Sequence, residues 1–105
     1  MKLNISKYRE QDSKIFTDRD TGVKARTELG LDEIEQENNI IITLPADTWG
    51  INPSFFGGLF EKSIKIYRDS FFEKYAFEYT NGDPLKESLR KDIDDNLQYV
   101  LDFLE

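Results

Sequence analysis

The sequence predicts an α/β layered domain, and three observations carry that prediction. Ile40-Ile41-Ile42-Thr43-Leu44 is a β-branched run without polar alternation, as expected of a central, parallel strand covered on both faces. Apolar residues at Phe56, Leu59, Phe60, Ile64 and Tyr67, and again at Leu85, Leu89, Ile93, Leu97, Val100, Leu101 and Leu104, recur with helical spacing. Strand-like and helix-like segments alternate along 105 residues, the pattern of helices packed on a sheet. The expected form is a single domain over residues 1–105, with a mixed sheet of about four strands.

The elements follow in order. Met1 to Tyr8 reads as an opening strand, with Leu3 and Ile5 alternating against Lys2, Asn4 and Ser6; the polar stretch 9–14 reads as a turn. Ile15-Phe16-Thr17 is a short second strand. Thr17 to Gly22 supplies capping residues for a helix through Val23, Arg26, Thr27 and Leu29, which Gly30 ends. Leu31 to Glu37 adds an acidic helical turn, and Asn38-Asn39 breaks it. Pro45 closes the isoleucine strand because proline cannot donate to a ladder. Asp47 to Ile51 reads as a loop into a helix whose N-cap is Asn52 and whose first residue is Pro53. Gly57-Gly58 inside that helix costs roughly 2 kcal/mol relative to two alanines, which points to close packing. Tyr75 to Thr80 is the next strand. Asn81-Gly82-Asp83-Pro84 is a turn, with Asp83 and Pro84 expected to open the last helix.

Composition narrows the chemistry. The chain has no cysteine and no histidine, which excludes disulfides, Cys/His zinc sites, thiol nucleophiles and histidine bases. Carboxylate, lysine, tyrosine or serine chemistry and oxygen-bound cations survive, but no paired acid and base and no phosphate-cradling glycine loop stand out. The expectation is a non-enzyme with no cofactor, no metal and no catalytic residue. The net charge of −7 opposes phosphate backbones and anionic lipid, so neither nucleic acid nor membrane is expected as partner. No apolar run approaches the roughly 20 residues of a bilayer span, and the N-terminus shows no signal-peptide core; the expected location is cytoplasmic.

The buried strand Ile40 to Leu44, the short loop, and the helix start Ile51-Asn52-Pro53-Ser54-Phe55-Phe56-Gly57-Gly58-Leu59-Phe60 together resemble the STAS-like domains. These are related in fold to the STAS domains of anti-sigma factor antagonists. Arg19 and Ala25-Arg26 sit where such proteins carry an Arg/Ala-containing first helix. The resemblance implies a regulatory module whose partner is a protein, specifically a histidine-kinase-like ATPase or kinase of the GHKL type. It also implies a phosphoacceptor serine at the helix start. Asn52 stands at the family's Asp position and Pro53 at its first hydroxyl, leaving Ser54 as the one hydroxyl. The family's acidic residue at the strand end is replaced by Leu44-Pro45-Ala46, with Asp47 further on.

The candidate partner-binding residues are therefore Trp49, Asn52, Ser54 and Phe55. Ser54 reads either as a helix-capping hydroxyl or as the phosphoacceptor. Trp49 and Phe55 read either as packing residues or as exposed aromatic anchors of the kind enriched at interfaces. Asp32, Glu33, Glu35 and Glu37, and likewise Asp92, Asp94 and Asp95, read as solvated helix faces without calcium-loop spacing. Arg19, Arg26 and Arg68 are candidates for a shared anion site if the fold brings them together. Against the binding-module reading stands an acidic phage or mobile-element inhibitor that occupies a basic groove of a host defence or nucleic-acid enzyme. A homodimer through the last helix is a further expectation.

Overall fold

Residues 1–10 and 12–104 are described by a computed structural model. Strands β1 (Lys2–Asn4), β3 (Ile40–Leu44) and β5 (Tyr75–Tyr79) form one parallel sheet in the order β1-β3-β5. Strands β2 (Ile15–Phe16) and β4 (Gly50–Ile51) form a second, two-stranded parallel sheet. Helices α1 (Arg19–Leu29), α2 (Leu31–Glu37), α3 (Pro53–Tyr67), α4 (Phe71–Lys74) and α5 (Glu87–Leu104) complete the α/β domain. The isoleucine run is the central strand, pairing with Lys2–Asn4 on one side and Tyr75–Tyr79 on the other.

The expected single mixed sheet of about four strands is thus corrected to five parallel strands in two sheets. The cause is local. Pro45 removes a donor at the end of β3, so the chain leaves the larger sheet. It pairs again only at Gly50–Ile51, opposite Ile15–Phe16, where a loop was expected. The sole antiparallel element among the described residues is an isolated bridge between Glu78 and Pro84. The opening strand is also shorter than expected, because Ser6–Tyr8 turns into a 3-10 helix. The turn assigned to residues 9–14 includes Gln11, which lies outside the described residues.

The central strand is not covered equally on its two faces. Ile40, Ile42 and Leu44 point into the core with Tyr75, Phe77 and Tyr79. On the opposite face the register aligns Lys2, Ile41 and Ala76 in one row and Asn4, Thr43 and Glu78 in the next. Lys2, Asn4 and Ala76 are exposed, Ile41 and Glu78 are half-buried, and Thr43 alone on this face is buried. The sheet therefore packs mainly on one side, where the core joins it to α3 and α5 through Phe56, Phe60, Leu89 and Ile93. Phe60 sits at the middle of this core, with edge-on rings of Phe71, Tyr75 and Phe77 around it.

Capping chemistry sets the ends of α1 and the start of α3, and α5 departs from its expected start. Asp18 caps α1 by accepting from the Asp20 N–H at 3.3 Å, and it does so at φ 80°, which is strained for a non-glycine residue. Gly30 ends α1 in the left-handed conformation, where glycine carries no penalty. Asn52 caps α3 through the Ser54 N–H at 2.8 Å, with Pro53 in the first turn as expected. Helix α5 begins at Glu87 rather than at Pro84. Asn81 Oδ1 instead accepts from the Asp83 N–H at 2.9 Å, closing a turn that lets residue 84 bridge back to β5.

Two buried tyrosines give the fold an alkaline limit. Burial, reinforced by the hydrogen bond to Glu28 and by its charge, pushes the Tyr8 phenol up to about 12. Burial and the hydrogen bond to Glu35 raise that of Tyr75 still further. A raised folded-state pKa means the native chain holds these protons more tightly than the unfolded chain does. The associated stability is full below the unfolded value of about 10 and is lost as pH climbs past it. Urea midpoints measured from pH 8 upward should hold level and then fall above about pH 10. Tyr8→Phe should reduce that fall; an unchanged slope would assign the alkaline limit elsewhere.

Candidate functional site

The loops after β1, β3 and β5 gather at the carboxyl ends of the larger sheet, where open α/β sheets present their binding crevices. Two of these loops are tied together. Arg9 donates to Asp47 Oδ1 at 2.7 Å and to Thr48 Oγ1 at 3.2 Å. The Arg9 hydrogen bond and charge hold the Asp47 carboxyl below its ordinary value. The Trp49 N–H donates to the Lys14 carbonyl at 2.7 Å, and the Lys14 ammonium lies 5.1 Å from the centre of the Trp49 ring. Trp49 is therefore held by a fully buried Thr48 before it and by strand β4 after it, yet remains 64% exposed.

Ser54 lies in the first turn of α3, exposed, and the helix cap is supplied by Asn52 and not by Ser54. The Asn52 side chain is occupied with capping, which makes it a positioning residue for the helix start. Phe55 is corrected. It is 1% exposed, its ring 5.1 Å from that of Phe16, and so it belongs to the core and not to a contact face. Trp49, Asn52 and Ser54 remain at the surface around one end of α3.

A cavity of about 370 Å³ opens beside this helix start. Ser54, Gly57 and Glu61 of α3, Arg19 of α1, and Tyr99 and Phe103 of α5 line it. Arg19 reaches over α3 to pair with Glu61 at 3.0 Å. The sequence showed α5 as amphipathic, but it did not show that Tyr99 and Phe103 would flank Ser54.

The acidic helix α2 holds the largest departure from expectation. Glu35, read as solvated, is 1% exposed. Its Oε1 accepts from the Ser63 hydroxyl at 2.5 Å and the Tyr75 hydroxyl at 2.6 Å, while its Oε2 lies 3.5 Å from Arg26. Arg26 also donates to Ser63 Oγ at 2.8 Å, to the Leu59 carbonyl at 2.9 Å and to Asp32 at 2.9 Å. The Lys74 ammonium donates to the backbone carbonyls of Glu35 and Asn38. Because Ser63 is fully buried and these groups satisfy one another, the cluster clamps α1, α2, α3 and β5 together. It leaves no accessible nucleophile.

The three arginines do not form one anion site. Arg26 is internal, Arg19 is paired with Glu61, and Arg68 is the exposed residue that ends α3 at φ 48°. Among the described residues no group of histidine, cysteine, aspartate or glutamate is arranged to hold a metal ion. Among the described residues no helix is long and apolar enough to cross a membrane. The chain matches no family model, no curated protein and no solved structure.

Proposed function

We propose that this chain is a non-catalytic regulatory module that binds a protein partner through the rim carrying Trp49 and the start of α3. The resemblance to STAS-like domains suggests a GHKL-type ATPase or kinase as that partner. The observation that supports this reading best is Trp49 itself. Its ring is 64% exposed although backbone and cation–π contacts fix the loop on both sides. An exposed, rigidly held tryptophan is costly in water and is the residue type most enriched at binding hot spots.

Ser54 supports the regulatory part. A phosphate there would meet the positive dipole end of α3, favourable by roughly 1 kcal/mol. The competing reading, an acidic inhibitor that fills a basic groove, rests on the net charge of −7. It draws little from α5, where Asp94 and Asp95 are paired with Arg90 and Lys91.

A photoreactive amino acid at position 49, introduced in the source cells, should crosslink one protein. That protein should bind the unmodified chain with an affinity little changed by salt, and Trp49→Ala should weaken it at least about tenfold with an unchanged thermal midpoint. Unchanged affinity in Trp49→Ala would reject the rim as the contact. A steep loss of affinity with salt would favour the inhibitor reading instead. Phosphate transferred from ATP by the captured partner should appear on the chain and vanish in Ser54→Ala.

A further inference from the structure

We infer that the trough between α3 and α5 is a self-association surface, in which a second copy of this chain packs about a two-fold axis along α3. Two features of the trough are not needed by the fold. The first is the pair Tyr99 and Phe103, one helical turn apart on α5 and 62% and 73% exposed. The side of α5 that faces the core is made by Leu89, Ile93, Leu97 and Val100. The second is Gly57. A methyl group at Gly58 would collide with the Arg19 carbonyl, so that glycine is required where α1 crosses α3. A methyl group at Gly57 would meet only the tip of the Arg19 side chain, at 3.1 Å. Helix-interior glycine is about 1 kcal/mol less favourable than alanine, and inside the chain only the Arg19 guanidinium, itself paired with Glu61, stands over position 57. What Gly57 provides is a hollow floor to the cavity between Arg19 and the α5 aromatics.

A projecting ring beside a hollow on the same surface is what an isologous contact requires, since each copy must offer both halves. The axis along α3 lays the α5 ridge of each copy over the α1 side of the other, with Phe103 above Gly57 and next to the exposed Val23. Charges match in the same arrangement. Asp102 beside Phe103 is bonded only to Gln98, and Lys62 across the trough has no ion pair, among the described residues. Two-fold pairing sets Asp102 of each copy against Lys62 of the other. A cleft lined by Val23 and Lys62 extends the cavity along α3, and an interface of the roughly 800 Å² per partner that stable complexes bury would cover about an eighth of the 6085 Å² surface.

The trough shares Ser54 with the proposed partner-binding rim but not Trp49, so substitutions at Trp49 separate the two contacts. The experiment uses the absence of native cysteine. Lys62→Cys chain mixed with Asp102→Cys chain should form a disulfide-linked pair under mild oxidation, whereas either variant alone should not. Sedimentation equilibrium of the unaltered chain should give twice 12.3 kDa at micromolar concentration. Phe103→Ala should weaken the dimer at least about tenfold without moving the monomer's thermal midpoint. Trp49→Ala should leave the dimer intact. A chain that stays monomeric at high concentration, or that dimerises without the 62–102 crosslink, overturns the proposal.

Discussion

Gly58→Ala is expected to destabilise the chain by about 3 kcal/mol, whereas Gly57→Ala, one residue earlier, should be neutral or stabilising by up to about 1 kcal/mol. The two positions share a helix, a residue type and a buried environment, so propensity alone predicts the same gain for both. They differ in what a methyl group would touch. At Gly58 it meets main-chain atoms, the Arg19 carbonyl and the Val23 nitrogen, which move only if α1 moves. Gly22 makes the reciprocal approach, since a side chain there would strike the Phe55 carbonyl and the Leu59 nitrogen. The helices α1 and α3 thus touch backbone to backbone through Gly22 and Gly58. Separating them would also loosen Arg26, whose bond to the Leu59 carbonyl depends on that approach. Urea midpoints at constant slope would measure the difference. Equal effects at the two positions would show that the close crossing does not govern stability.

Much of this arrangement was legible in the residues. The Ile40–Leu44 run and the Asn52-Pro53 helix start were readable because both are short-range signals, β-branching and capping chemistry. The one-sided sheet was also written in the chain: Tyr75-Ala76-Phe77-Glu78-Tyr79 alternates as a half-exposed strand does, and the isoleucine run outweighed it. Phe55 stands one turn before Leu59, a spacing that already placed it on the buried side of α3. Other features had no local signature. Strand β4 is two residues long, too short for any period, whereas the equally short β2 was read from the apolar pair Ile15-Phe16. Helix α4 is a single turn between a 3-10 segment and β5, and only its neighbours hold it. The cavity beside Ser54 joins α1, α3 and α5, and such convergence depends on tertiary packing. Glu35 looked like one acid among four because the partners that bury it, Ser63 and Tyr75, come from distant elements.

Arg26→Met should be the most damaging substitution in the chain, costing about 3–5 kcal/mol, because it removes the cation and leaves the Glu35 carboxylate behind. That carboxylate is sealed from water, and the Ser63 and Tyr75 hydroxyls can donate to it without neutralising its charge. Glu35→Gln should cost less, since Arg26 keeps the Asp32 carboxylate, which is half open to solvent, together with the Leu59 carbonyl. Adding Glu35→Gln to Arg26→Met should then recover part of the loss, because the stranded charge is gone and a neutral amide still accepts from both hydroxyls. The expected order is therefore Arg26→Met below the double variant, and the double variant below Glu35→Gln. The coupling between the two sites, read from urea midpoints of the four proteins, should exceed about 1 kcal/mol. Additive losses would mean that Arg26 is supported by Asp32, Ser63 and the Leu59 carbonyl and that the Arg26–Glu35 contact contributes nothing of its own. Strong coupling would instead place the clamp joining α1, α2, α3 and β5 among the interactions that make the chain unfold as one unit.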